Sequence, residues 1–298
     1  MQLRALVPNT LTCLNLACGC VGIALAFQEE LAWAGIMIGV AAVFDFFDGF
    51  AARLLKVSGE LGKQLDSLAD CVTFGILPAV IIYQLILISF GAYFEPFRDR
   101  DFAVNAIAMV AFLLAIFSVV RLAIFNIDTE QSESFLGVPT PANAIFVGSL
   151  PVILDMQYQL NMYVPIRGAL LDIHMKTFYL DPFDGWLIPL LFNPWFYVGF
   201  SIVMSALLVV RVPLFSLKFK SFKWAANKVR YSFLICVAVL GLLVAFPYIA
   251  WQLSIEAEWI RSFPYLDYVI VPMIIVLYIL ISFLILPFSK RNTNEVPS

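Results

Sequence analysis

Charge is scarce in this 298-residue chain: Asp, Glu, Lys and Arg together make up 13% of it, and histidine occurs once. The formal net charge is only -3 and no long basic tract is present, so nothing favours nucleic-acid binding. The lone His174 offers no histidine-based metal site. Cys13, Cys18, Cys20, Cys71 and Cys236 fall on or beside apolar segments, at spacings unlike zinc or redox motifs, and read as small membrane-core residues. Internal repeats and low-complexity segments are also missing. What the chain has in excess is hydrophobic residues, at 62%, gathered in evenly spread runs of about twenty. That distribution excludes a pair of soluble domains and implies an all-α, polytopic transmembrane helical bundle. Arg4 alone precedes the first run and no small-residue cleavage site follows it, so a retained first span is expected.

The runs predict about eight spans, at roughly 10–27, 31–54, 62–85, 102–125, 141–156, 187–211, 231–250 and 267–287. Ala17, Gly19, Gly22 and Ala24 in the first, and Gly35 with Gly39 in the second, form small-residue faces for close helix packing. Gly75 and Pro78 predict a kink in the third. Residues 158–186 form the least hydrophobic long stretch and read as an extramembrane loop carrying a brief surface helix. Arg4, Arg53, Lys56, Lys63, Arg121, the basic link 211–230, Lys290 and Arg291 share one side of this topology. Arg98, Arg100, Arg167, Lys176 and Arg261 occupy the other. The positive-inside bias therefore sets the termini in the cytoplasm, in an inner or cytoplasmic membrane.

Against this background the stretch from Asp45 to Asp70 stands out, because it holds four aspartates between two apolar runs. Asp45 and Asp48 share a helix face at i,i+3, and Asp66 and Asp70 do so at i,i+4. Two helices joined by a short turn would point all four carboxylates at one place, open to the cytoplasm. Ionised carboxylates near hydrocarbon are costly unless they bind cations, pair with arginines or face water. An all-oxygen set suits magnesium or manganese better than zinc. Two such ions bridge phosphate groups and shield them from one another, which suits chemistry on a nucleotide-linked phosphoryl group. Asp45, Asp48 and Asp66 are the natural ligands; Asp70 completes the shell or accepts a hydroxyl proton. Gly49 and Gly62 allow close approach of a nucleotide or, on the plainer reading, of another helix. Asn15, polar at membrane depth, either bonds to neighbouring backbone or lines the site.

Asp45, Asp48, Gly49, Ala52, Arg53, Gly62, Asp66 and Asp70 together reproduce the signature DGxxAR followed by GxxxDxxxD, with one further aspartate in front. The chain thus resembles the CDP-alcohol phosphatidyltransferases. PNTLTCLNLACG at 8–19, DSLADCVTFGILPA at 66–79, RLAIFN at 121–126 and GVPTPANA at 137–144 resemble that family's phosphatidylserine synthase branch. The branch commonly has arginine where this chain has Ile124. The resemblance implies a six-helix catalytic core, here residues 1–230, with two additional C-terminal spans and a short tail over 231–298, usually in a homodimer. It implies transfer of the phosphatidyl group from CDP-diacylglycerol, a membrane lipid, to L-serine. Asp45, Asp48, Asp66 and Asp70 would hold two Mg2+ or Mn2+ ions, with Asp70 also the general base. Gly49, Ala52, Arg53 and Gly62 would shape the CDP pocket, Arg53 having surface snorkelling as its alternative. Arg121, with Asn126 or Lys218, would hold the serine carboxylate or lipid phosphates, or else Arg121 is a positive-inside anchor. Another acceptor alcohol, such as glycerol 3-phosphate, inositol or inositol phosphate, and a cation-coupled transporter are the competing readings.

Overall fold

The computed structural model describes residues 3–57, 59–127, 135–157, 182–210, 213–214, 224, 227–252 and 268–289. Lys218, His174, most of the basic link and the stretch 158–181 lie outside the described residues. The chain forms α1 (Leu6–Phe27), α2 (Leu31–Leu54), α3 (Glu60–Asp70), α4 (Leu77–Ser89), α5 (Phe102–Ala108), α6 (Leu113–Ile127) and α7 (Thr140–Val152). There follow α8 (Pro182–Leu191), α9 (Pro194–Val209), α10 (Lys228–Gln252) and α11 (Ile270–Ser289). The single strand pairing among the described residues joins Phe135–Leu136 to Pro213–Leu214, two residues each, so the all-α class stands.

Among the described residues, five helices are long and apolar enough to cross a membrane: Leu6–Phe27, Leu31–Leu54, Glu60–Ser89, Phe102–Ile127 and Lys228–Phe246. Thr140–Met156 and Ile270–Leu284 are shorter apolar helices. The expected single span at 187–211 is instead broken: Gly185–Leu191 and Pro194–Val209 meet at 73°. The cause is local. Pro194 cannot continue a preceding helix, and Asn193 caps the new one by accepting the Trp195 N–H on its side chain at 3.0 Å. Helix also begins at Pro182, inside the stretch expected to be loop. Large apolar side chains such as Phe46, Leu54, Leu68, Ile116 and Leu284 stand on outward faces, as helices surrounded by hydrocarbon require.

The core is built around α4, whose Leu77, Ile81, Ile82, Leu85, Ile86 and Leu87 are buried on nearly every face of the helix. Between α3 and α4 the backbone widens into a π turn at Cys71–Ile76 rather than kinking sharply at Pro78. Proline has no N–H to return to the preceding turn, and its ring crowds the carbonyl there; a wider turn relieves both. Close approach holds the remaining helices. A Cβ on Gly35 would lie 2.1 Å from the Gly148 carbonyl oxygen, and one on Gly19 would lie 2.4 Å from Thr73 Oγ1. Gly35 is thus required by α2–α7 packing, whereas a Cβ on Gly39, its expected companion, meets nothing within 4 Å. All five cysteines are free, and Cys13, Cys20 and Cys236 sit on exposed helix faces.

Candidate metal and phosphate site

The site sits where the C-terminal end of α2 meets α3. Lys56, in the left-handed region at φ 51°, closes α2, and the Val57 N–H returns to the Ala52 carbonyl at 3.0 Å. The chain then re-enters helix at Glu60, which brings Asp66 back alongside Asp45 and Asp48. One carboxylate oxygen from each of these three lies within 4.8 Å of the others. The fourth aspartate stands beside this triad rather than within it. Asp70 is buried, and its Oδ1 accepts from Asn15 Nδ2 at 3.0 Å.

Among the described residues no cation offsets the triad. The charges acting on Asp45 are those of Asp66 and Asp48, and the charge acting on Asp66 is that of Asp48. Among the described residues no arginine is paired with the triad, and Arg53 is exposed. Three converging carboxylates form an all-oxygen donor set of the kind a hard divalent ion takes.

The first helix supplies the outer support. Thr12 Oγ1 donates to Asp48 Oδ2 at 2.7 Å, with the Pro8 carbonyl at 3.1 Å as its second acceptor. Asn15 is fully buried and bonds to the site carboxylate, not to neighbouring backbone. Its main-chain carbonyl accepts from Thr73 Oγ1 at 3.1 Å, tying α1 to the π turn. Outer partners of this kind fix the rotamers of metal-binding carboxylates. Thr12 escaped the sequence reading, although its polar side chain lies one turn before Asn15 on an otherwise apolar helix.

Open space adjoins the carboxylates. A Cβ at Gly49 would meet nothing within 4 Å, and one at Gly62 would meet only Asn9 Oδ1 at 3.4 Å. Helix packing therefore does not explain Gly49. Ala52 is half-buried beside it.

Arg121 on α6 is buried and interacts electrostatically with Asp70 and with Tyr278. Its Nε has no hydrogen-bond partner among the described residues. Asn126 is engaged elsewhere: its Nδ2 donates to Ser67 Oγ at 2.7 Å, and its main-chain carbonyl accepts from Lys63 Nζ at 2.7 Å. It clamps the end of α6 onto α3 next to Asp66. Asn143, in the GVPTPANA string, is fully buried with neither amide atom partnered among the described residues. Unsatisfied buried amides are costly, which marks Asn143 as a polar position the sequence reading passed over.

The family model described as CDP-alcohol phosphatidyltransferase matches residues 5–175. A CDP-diacylglycerol--serine O-phosphatidyltransferase of Helicobacter pylori is 36% identical over 155 residues, covering 51% of this chain and 60% of the relative. The enzyme of the same name from Bacillus subtilis is 33% identical over 152 residues, covering 51% of this chain and 76% of the relative. The archaetidylserine synthase of Methanothermobacter thermautotrophicus is 32% identical over 181 residues, covering 60% of this chain and 68% of the relative. The matched stretch thus spans only about three fifths of the Helicobacter protein. All four aspartates and Arg121 fall within the family match, whereas α10 and α11 lie beyond it.

Proposed function

Because the chain belongs to the CDP-alcohol phosphatidyltransferase family, we propose that it transfers the phosphatidyl group of CDP-diacylglycerol to the hydroxyl of L-serine and releases CMP. The observation that carries this reading is the convergence of Asp45, Asp48 and Asp66 within 4.8 Å, with no compensating cation among the described residues. Serine is favoured because the Helicobacter and Bacillus relatives and the archaeal one all carry serine in their names.

Asp45, Asp48 and Asp66, with Asp70 completing the shell, would hold Mg2+ or Mn2+, one ion or two. Bound divalent ions there supply charge shielding to the phosphates and stabilise the departing CMP oxygen. The protein's own groups do the rest. Gly49 and Gly62 leave room for the nucleotide, with Ala52 and Arg53 along its edge. Asn15 holds Asp70 in one orientation, so that its free oxygen takes the proton from the serine hydroxyl. The serine oxygen bonds to the lipid-side phosphorus, the bond from that phosphorus to the CMP phosphate oxygen breaks, and the lipid remains in the membrane. Arg121, buried beside Asp70, holds the serine carboxylate. Residues 1–230 would form the catalytic unit, 231–298 an addition to it, and the site would open to the cytoplasm in a homodimer.

An acceptor carrying its own phosphate needs a denser basic pocket than Arg121 provides. The test is CMP release by the purified protein with CDP-diacylglycerol and Mn2+, with L-serine, glycerol 3-phosphate, myo-inositol and inositol phosphate supplied separately. Release with serine alone is expected. Release with another acceptor and not with serine overturns the assignment of the alcohol while leaving the family chemistry in place.

A further inference from the structure

Asn15 leaves one strong hydrogen-bonding atom unspent at the site. Its Nδ2 donates to Asp70 Oδ1 at 3.0 Å, but its own Oδ1, on a fully buried side chain, has no partner among the described residues. An ionised carboxylate accepts and does not donate, so the amide cannot flip without losing the bond it makes. A buried amide oxygen with no donor is costly to keep.

The backbone around Asn15 is pinned as well. Its main-chain carbonyl accepts from Thr73 Oγ1 at 3.1 Å. One turn further along α1, a Cβ on Gly19 would lie 2.4 Å from that same hydroxyl oxygen. Contact this close presses α1 onto the π turn and holds the Asn15 amide beside the Asp70 carboxylate. Nδ2 and Oδ1 share one carbon, so the free oxygen stands next to the Asn15–Asp70 bond.

The missing donor fits the substrate. In serine the ammonium group stands on the carbon next to the one bearing the hydroxyl. If Asp70 takes the hydroxyl proton, the neighbouring Asn15 Oδ1 meets the amino group. An ammonium carries three donors and no acceptor, and its hydrogen bonds are charge-assisted.

We propose that Asn15 Oδ1 accepts a hydrogen bond from the amino group of the acceptor while Nδ2 holds Asp70, which makes Asn15 a specificity residue for an amino alcohol. The inference rests on the phosphatidyltransferase reading above and deepens it. A site with a buried acceptor rejects an analogue lacking the matching donor, because that acceptor is then left unpaired.

The probe is 3-hydroxypropanoate, which is serine without its amino group. CMP release from the intact protein, with CDP-diacylglycerol and Mn2+, compares the two acceptors in wild type and in Asn15→Ala. Wild type is expected to favour serine in kcat/KM by about tenfold to a hundredfold. Asn15→Ala slows both reactions, since Asp70 loses its support with either acceptor, and the preference is expected to shrink to within about threefold. If the variant turns over too slowly, the rise in its unfolding temperature with each acceptor reads the same preference. A preference kept in full by Asn15→Ala limits Asn15 to positioning Asp70 and overturns the proposal. A preference kept alongside a shifted Mn2+ titration makes Oδ1 a metal ligand and overturns it too. Equal kcat/KM for the two acceptors in wild type overturns it without any variant. An absence of serine-dependent CMP release from the wild-type protein overturns the function reading itself, and the premise of this inference with it.

Discussion

Asn15 Nδ2 donates to Asp70 Oδ1 at 3.0 Å, joining a fully buried amide on α1 to the one site carboxylate that stands outside the aspartate triad. In the proposed reaction, that bond leaves the second Asp70 oxygen for the substrate hydroxyl. Asn15→Ala is expected to lower kcat about tenfold through loss of that orientation, with little change in the donor KM. Steady-state CMP release measures it. An unchanged kcat would remove Asn15 from the site.

Thr12 acts on the neighbouring carboxylate. Thr12→Val keeps the shape of the side chain and removes the 2.7 Å hydrogen bond to Asp48. The Mn2+ concentration for half-maximal activity is expected to rise about tenfold, and Thr12→Ser to restore it. A metal titration identical to that of wild type would show that Asp48 needs no such support.

Two glycines of α2 separate packing from pocket. Gly35→Ala drives a methyl group into the Gly148 carbonyl and is expected to cost about 1–3 kcal/mol, read as a lower unfolding temperature in detergent. Gly49→Ala faces open space, so its fold is expected to hold while the KM for CDP-diacylglycerol rises. A destabilised Gly49→Ala protein with a normal donor KM would reverse the assignment.

Asn126 entered as an acceptor-site candidate, but its amide is spent on Ser67, one residue from Asp66. Asn126→Ala is accordingly expected to weaken metal activation more than serine binding. A raised serine KM with an unaltered metal titration would return Asn126 to the acceptor pocket.

The sequence was legible where one physical signal dominates. Apolar runs marked α2 to the residue and the Phe102–Ile127 span to within two residues, because membrane depth sets the length of a spanning helix. The aspartate spacing was equally direct. The bent pair at Phe192–Asn193 was not, since the apolar run continues through a break made by Asn193 and Pro194 alone. Thr12–Asp48 and Asn15–Asp70 join residues distant in the chain, and no local periodicity encodes which faces meet. The π turn after Asp70 arises from how α3 and α4 share one axis around Pro78, which hydropathy does not register.

The most direct test places the purified protein in liposomes containing CDP-diacylglycerol, adds labelled L-serine with Mn2+, and follows label into extractable lipid alongside released CMP. Equal amounts of lipid-bound label and CMP are expected, both lost on chelation of the metal and both lost in Asp66→Asn. Label that stays water-soluble in the wild-type protein, or transfer that survives complete removal of divalent ions, would contradict the account.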